Sequence, residues 1–209
     1  MYVPKHFSQS DADELGALIR DHPFATLAWS GSDGVDAMHL PLLLCGSDSG
    51  QRLLGHVAKA NSVWQAVPDG DPVLAIFHGP NQYISPNYYA TKQEHGRVVP
   101  TWNYAVVHVR GRVYFKHDAD EIRTILQALT SQHESDQRKP WGIEDAPEKY
   151  TRTLLRAIVG LELQIDSIEG KWKLSQNQPV ENRRSVRDAL SSKSDTSSAQ
   201  MIALMPDPE

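Results

Sequence analysis

Apolar residues return along this chain at two periods, and the switches between them mark out its elements. Leu15, Leu18 and Ile19 follow Ser10, Asp11, Asp13 and Glu14 at helical spacing, which predicts a capped amphipathic helix that Pro23 stops. From Phe24 the period drops to two. The runs FATLAWS and VDAMHLPLLL flank GSDG, so Phe24 to Leu44 reads as an antiparallel hairpin whose turn exploits glycine's access to positive φ. In its second arm Met38, Leu40, Leu42 and Leu44 share one face, and His39 and Pro41 point the other way.

Further strands are predicted at QRLLGHV, at the continuous apolar run VLAIFH, at VPTWNYAVVHVRGRVYF and at IVGLELQIDSI. Two helices interrupt them. Asp118 with Glu121 forms a capping box before Ile122, Ile125, Leu126 and Leu129, and Asp145 with Glu148 does the same before Tyr150 and Leu154. After Val180, ENRRSVRDAL predicts a short charged helix, SSKSDTSSAQ a mobile polar link, and MIALM one last docked turn. Strands joined by turns, with few helices between them, favour a barrel over a doubly wound sheet.

Composition narrows the classes. At 209 residues the chain suits one core with appendages. Its 21 Lys and Arg against 26 Asp and Glu, a formal charge of -5, argue against a protein that coats nucleic acid over its whole surface. A single cysteine, Cys45, permits no internal disulfide and no zinc site of the paired-cysteine kind. The opening MYVPKHFSQSDADELG lacks the apolar stretch of a secretion signal, and no run is long enough to cross a bilayer. The expectation is a soluble, cytoplasmic protein.

The strand Val98 to Phe115 carries the most chemical information. Its odd positions Ala105, Val107, Val109, Val113 and Phe115 make a core face, and the same parity puts Thr101 and Asn103 on that face at one end. Polar groups continuing an apolar face either bond to nearby backbone or meet a ligand. In GHVAKANSVW, Asn61 reads as a helix N-cap two residues after Lys59, a pairing that serves either a phosphate or an ordinary cap beside a solvated lysine. His39 and Pro41 mark an edge or bulged strand whose spare backbone groups suit the rim of a flat heterocycle. The segment NQYISPNYYATKQEHGRVVPTW is a long aromatic loop, expected to cover a pocket or a partner subunit. The nine histidines come with no HExxH and no carboxylate cluster, so no metal site is expected. Nucleophile-elbow, dinucleotide and P-loop signatures are also missing.

Taken in order, MYVPKHF, HLPLLL, GHVAKAN, IFHGPNQYISPNYY, VPTWNYAVVHVRG and EGKWKLSQN closely resemble the PaiB-type FMN-binding negative transcriptional regulators. The resemblance implies a mainly β fold with α, a split β-barrel of the pyridoxamine-phosphate-oxidase kind with peripheral helices. Residues 1–179 would form the FMN-binding split-barrel domain, with 180–209 as its C-terminal extension. It further implies a homodimer with FMN at the subunit interface. By that analogy Lys59 and Asn61 lie near the phosphate, and Lys173, Ser175 and Gln176 near the phosphate or ring edge. His39, Leu40 and Pro41 would run along the ring, with Thr101, Trp102 and Asn103 arriving from the long strand and His56 in the same cofactor-binding set. His78 and Tyr88 stand where the family blocks carry other residues, Tyr88 near a usual tryptophan, which bears on ring stacking.

Two functions follow from the resemblance. One is a negative regulator that reaches DNA directly, through basic residues such as Arg183, Arg184 and Arg187, or acts through a protein partner; those arginines also read as a solvated helix face. No helix-turn-helix pattern is present. The other is an FMN-dependent oxidoreductase or flavin reductase acting on a small molecule. A barrel that has lost its cofactor, or one that binds haem through His56 or His108, completes the set.

Overall fold

The computed structural model describes residues 1–32, 34–46 and 50–208. In chain order the elements are β1 (Ser8–Gln9), α1 (Ala12–Asp21), β2 (Phe24–Gly31), β3 (Gly34–Pro41), β4 (Leu43–Cys45), β5 (Arg52–Ala58), α2 (Val63–Ala66), β6 (Pro72–Ile84), α3 (Lys92–His95), β7 (Thr101–Lys116), α4 (Ala119–Glu134), α5 (Glu148–Leu155), β8 (Ile158–Lys173), α6 (Val180–Ser191) and α7 (Thr196–Leu204). The strands join one sheet in the order β3-β2-β6-β7-β8-β5-β4, with β1 beside β8. The chain divides into two compact units, one of residues 1–15, 78–107 and 169–209 (unit 1) and one of residues 16–77 and 108–168 (unit 2).

In unit 2, β2 and β3 pair antiparallel from Phe24 opposite Pro41 to Gly31 opposite Gly34. The turn expected at GSDG includes Asp33, which lies outside the described residues; Gly34 has φ 120°, the positive range that glycine adopts without steric cost. The second arm departs from the expected single strand. Pairing with β2 ends at Pro41, the Leu42 N–H donates to the Pro23 carbonyl at 2.9 Å, and Leu43 to Cys45 pair instead with β5. Proline brings no donor, so the ladder changes partner there and Leu42 and Leu43 are both buried.

The helix α4 lies over this region. Asp118 Oδ1 accepts from the N–H groups of Asp120 (3.0 Å) and Glu121 (3.1 Å), capping the helix as expected. Glu121 does not reach back to close a box; its carboxylate stands 3.8 Å from Lys116 Nζ. Ile125 and Leu129 of α4 pack with Leu43 and Leu54 in one apolar cluster. Burying each such side chain contributes about 1.5–3 kcal/mol. The expected cap for α5 is corrected. Asp145 accepts from the Gly142 N–H at 2.9 Å and closes a 3-10 turn, while Pro147 stands at the start of α5, where its missing donor costs nothing. At Gly111 a Cβ would fall 2.1 Å from the Gln164 carbonyl oxygen, so only glycine lets the two backbones approach this closely.

In unit 1, Asp11 rather than Ser10 caps α1, accepting from Asp13 N–H (2.9 Å) and Glu14 N–H (3.1 Å). The aromatic loop is folded: Pro86–Tyr88 is a 3-10 turn and Lys92–His95 a short helix. It docks on α6, where Asn182 Oδ1 accepts from both the N–H and the hydroxyl of Thr91 at 3.1 Å. The polar stretch expected as a mobile link instead contains the start of α7. Asp195 takes the Ser198 N–H and hydroxyl at 2.8 Å each, and Ser198 and Met201 are fully buried, so a cap hidden in a serine-rich run nucleates the helix. Among the described residues no helix is long and apolar enough to cross a membrane.

Candidate functional site

The burial of β7 follows the parity read from its sequence, with every odd position from Asn103 to Phe115 buried. That parity carries Asn103 inside while leaving Trp102 54% exposed. In unit 1 the N-terminal end of β7 and the C-terminal end of β8 border a cavity of about 220 Å3, whose lining includes Thr101, Asn103, Lys173 and Ser175. Sequence reading had singled out these four polar residues from separate stretches; the fold brings them together.

Lys173 is fixed there by two neutral oxygens. Its Nζ donates to the Trp102 carbonyl at 2.6 Å and to the Thr101 hydroxyl. An ammonium has three N–H groups, so one remains for a ligand. Burial, and then the charge of nearby Lys171, pull the Lys173 pKa below the ordinary lysine value, because both disfavour the charged form. Lys171 itself lies over the rings of Tyr104 (5.3 Å) and Tyr2 (5.7 Å) and donates to the Tyr2 carbonyl at 3.1 Å.

Asn103 is 0% exposed. Its Oδ1 accepts from the Ser175 hydroxyl at 3.1 Å, and its Nδ2 is buried with no hydrogen-bond partner. An unmet buried donor costs about 1–3 kcal/mol, which a ligand acceptor would return. Ser175 has φ 68°, a strained conformation for a residue with a side chain, of the kind that gathers at ligand sites. Gln176 holds that turn rather than lining the cavity. Its Oε1 accepts from the Leu174 N–H and its Nε2 donates to the Trp172 carbonyl, both at 2.7 Å.

Sequence reasoning missed part of the lining. Tyr89, Arg97 and Val98 come from the aromatic loop, and Asn177 and Gln178 follow the strained serine. Arg97 adds a second cation, and the lining contains no carboxylate. The available signal was a lone arginine between a helix-ending Gly96 and the entry to β7. This donor-rich, acid-free recess fits a phosphate or the acceptor edge of a flavin ring, either of which would meet the Asn103 amide and the spare Lys173 proton.

The remaining candidates lie in unit 2. His39 is exposed, with Nδ1 3.1 Å from the Thr26 hydroxyl and its ring 6.3 Å from that of Phe24. Leu40 is buried, so only its backbone is available to a ligand, and Pro41 is half-buried at the strand's end. Asn61 Oδ1 accepts from the Val63 N–H at 3.0 Å and its Nδ2 stands 3.8 Å from Met38 Sδ. The helix after it, α2, has only four residues. Lys59 is exposed and lines a separate cleft with Arg123 and Arg156. His56 pairs across the sheet with Gly160; directly opposed residues share a face, and a Cβ on Gly160 would press on Ile125 and Ile122 of α4. His56 therefore sits on the face that α4 covers, its Nδ1 buried and unpartnered and its pKa lowered by burial.

Comparison with known proteins identifies the family and the fold. Residues 1–167 match the family model described as "Putative FMN-binding domain". The chain is 30% identical over 207 residues to the Protease synthase and sporulation protein PAI 2 of Bacillus subtilis, covering 99% of this chain and 97% of that one. It is 32% identical over 222 residues to the protein AN0679 of Emericella nidulans, covering 89% and 88%. Among solved structures, a FAD and heme binding protein of Mycobacterium smegmatis superposes with TM-score 0.58 at 17% identity, over 79% of this chain and 73% of that one. The flavocytochrome Anf3 of Azotobacter vinelandii does so with TM-score 0.54 at 14% identity, over 82% and 72%. The fold is the flavin-binding split barrel, and the chain belongs to the PaiB-type FMN-binding family.

Proposed function

We propose that this protein is a homodimeric, FMN-binding negative regulator of transcription, with FMN at the subunit interface and Thr101, Asn103, Lys173 and Ser175 among its contacts. The observation that carries this reading is the buried, unpartnered Asn103 amide beside the Lys173 ammonium in a recess without acids. FMN, when bound, supplies a phosphate dianion, a polyol and a reversibly reducible ring. The chain's residues hold and orient it: Lys173 and Asn103 present donors, Ser175 fixes the Asn103 amide, and Gln176 sets the turn that places Ser175. In the same reading Trp102 borders the ring.

A second copy suits the exposed apolar surface of unit 1, where Tyr83 and Trp102 meet edge to face at 6.0 Å and Val99 is exposed. For the regulatory step, a protein partner is favoured over direct DNA contact through α6. Arg187 Nη1 donates to the Met205 carbonyl at 2.9 Å and Arg184 Nη2 to the Pro208 carbonyl at 3.5 Å, so both are committed to the chain's own tail.

Lys173 favours a second reading, an FMN-dependent oxidoreductase, because a fixed cation beside a flavin ring stabilises added negative charge. The test is direct. Purified protein should carry or take up FMN with a flavin spectrum and sediment as a dimer, and Asn103→Leu should lose the cofactor while keeping its fold. A monomer indifferent to FMN would overturn the proposal; steady FMN-dependent consumption of NAD(P)H would move the assignment to the enzyme.

A further inference from the structure

Unit 2 holds a second cationic recess, between α4, α5 and the end of β5. It is a cleft of about 420 Å3, within the range of small-molecule sites, roughly 300–1,000 Å3. Residues four apart share a helix face, so Glu148, Arg152 and Arg156 form one row along α5 and just past its end. Arg123 of α4 closes on the same carboxylate. Glu148 receives Arg123 Nη2 at 3.5 Å on one oxygen and Arg152 Nη2 at 3.4 Å on the other.

Both guanidinium groups are thus pre-positioned with most of their N–H donors unspent, and part-exposed pairs of this kind exchange partners at little cost. Lys59 and Arg156 add two more cations, and among the described residues neither forms an ion pair. With Asp120 the only other acid in the lining, four basic side chains face two acidic ones on a chain whose formal charge is -5. Ile122, Leu155 and Ile158 give the cleft an apolar floor.

We propose that this cleft binds a phosphomonoester dianion carried on an apolar or aromatic body, a small-molecule effector separate from the flavin. The excess of two positive charges matches a dianion. The planar arginine forks match phosphate oxygens, and the isoleucine and leucine floor receives the organic part. Lys59 lines this cleft and not the Thr101–Lys173 recess, and Arg123, Arg152 and Arg156 likewise belong to the cleft alone.

The experiment is calorimetric titration of phenyl phosphate into the full chain, FMN-free and FMN-saturated, with phenol and inorganic phosphate as controls. One site per chain is expected in both preparations, weaker for inorganic phosphate and not detectable for phenol. Arg152→Gln with Arg156→Gln should weaken it at least about tenfold, the loss of one charged contact, and leave FMN affinity unchanged. Arg156→Glu, at an exposed position, should do the same by charge reversal. Absence of binding in both preparations overturns the proposal, as does loss of the site on FMN saturation or a parallel loss of FMN affinity in the double variant. A chain that takes up no FMN but binds phenyl phosphate supports the cleft and sinks only the flavin assignment.

Discussion

In unit 1 the lysine that lines the cavity is held by neutral oxygens, the Thr101 hydroxyl and the Trp102 carbonyl, whereas in unit 2 the arginines of the α4–α5 cleft are held by the Glu148 carboxylate. The difference decides what each recess selects. Neutral oxygens position a charge without cancelling it, and the buried Asn103 amide beside it demands an acceptor at one place. A shared carboxylate positions guanidinium groups while offsetting part of their field, so the cleft asks for net charge more than for one geometry. The first arrangement suits a resident cofactor and the second an exchangeable anion.

The most severe way to break this contrast is Asn103→Asp. It replaces the unmet donor with a carboxylate that competes for the Lys173 ammonium and repels an anionic ligand, and FMN affinity should fall by roughly two to three orders of magnitude. Fluorescence titration of FMN measures it, and phenyl phosphate binding at the cleft should be untouched.

Next in size is Lys173→Met, which removes a charged donor of nearly the same length. FMN affinity should drop about 10- to 100-fold. A bound anion favours the protonated lysine, so wild-type affinity should decline as pH rises through the Lys173 pKa, which lies below the ordinary 10.5. The methionine variant should lack that decline; a pH profile identical to wild type would show that Lys173 does not face the flavin.

His56 sharpens the comparison from the apolar side, because its ring lies on the face that α4 covers and has no counter-charge. Its folded pKa is lowered from 6.5 by burial. The unfolded chain therefore binds more protons in the window below 6.5, and stability should rise with pH there and be lost as pH falls toward the folded value. Denaturant melts of His56→Phe between pH 5 and 7 should show a flatter dependence than wild type. An unchanged slope would place the acid sensitivity elsewhere.

Much of the sheet was legible because burial in strands obeys a two-residue period: the parity of β7 alone placed Asn103 inside and Trp102 outside. Where a partner switch occurs, as at Pro41, local alternation cannot foresee it, since the pairing is decided by which strand lies alongside. The caps at Asp11 and Asp195 were hidden among neighbouring polar residues equally able to cap. Thr101, Asn103, Lys173 and Ser175 stood out through parity and family resemblance. Arg97, Asn177 and Gln178 reach the cavity by the path of aperiodic backbone, which leaves no trace in spacing. The row Glu148, Arg152, Arg156 was readable at four-residue intervals, but the sequence reading took Glu148 only as a capping partner and passed over the two arginines.

The smallest expected effect concerns α6, where the same contrast between neutral and charged partners occurs within one side chain. Arg187 donates to the Met205 carbonyl through Nη1 and stands 3.2 Å from Asp207 through Nη2. The carbonyl bond is partly shielded; the aspartate is exposed and its pairing is screened by salt. Arg187→Gln should therefore cost about 0.5–1 kcal/mol, a fall in melting temperature of about 1–4 °C for a chain of this size, with little dependence on salt because the carbonyl contact dominates. If Arg187 instead served DNA, the substitution would leave stability unchanged and reduce the salt slope of promoter binding by about one ion. The two readings move different observables, so one variant measured in both assays separates a tail clamp from a nucleic-acid contact.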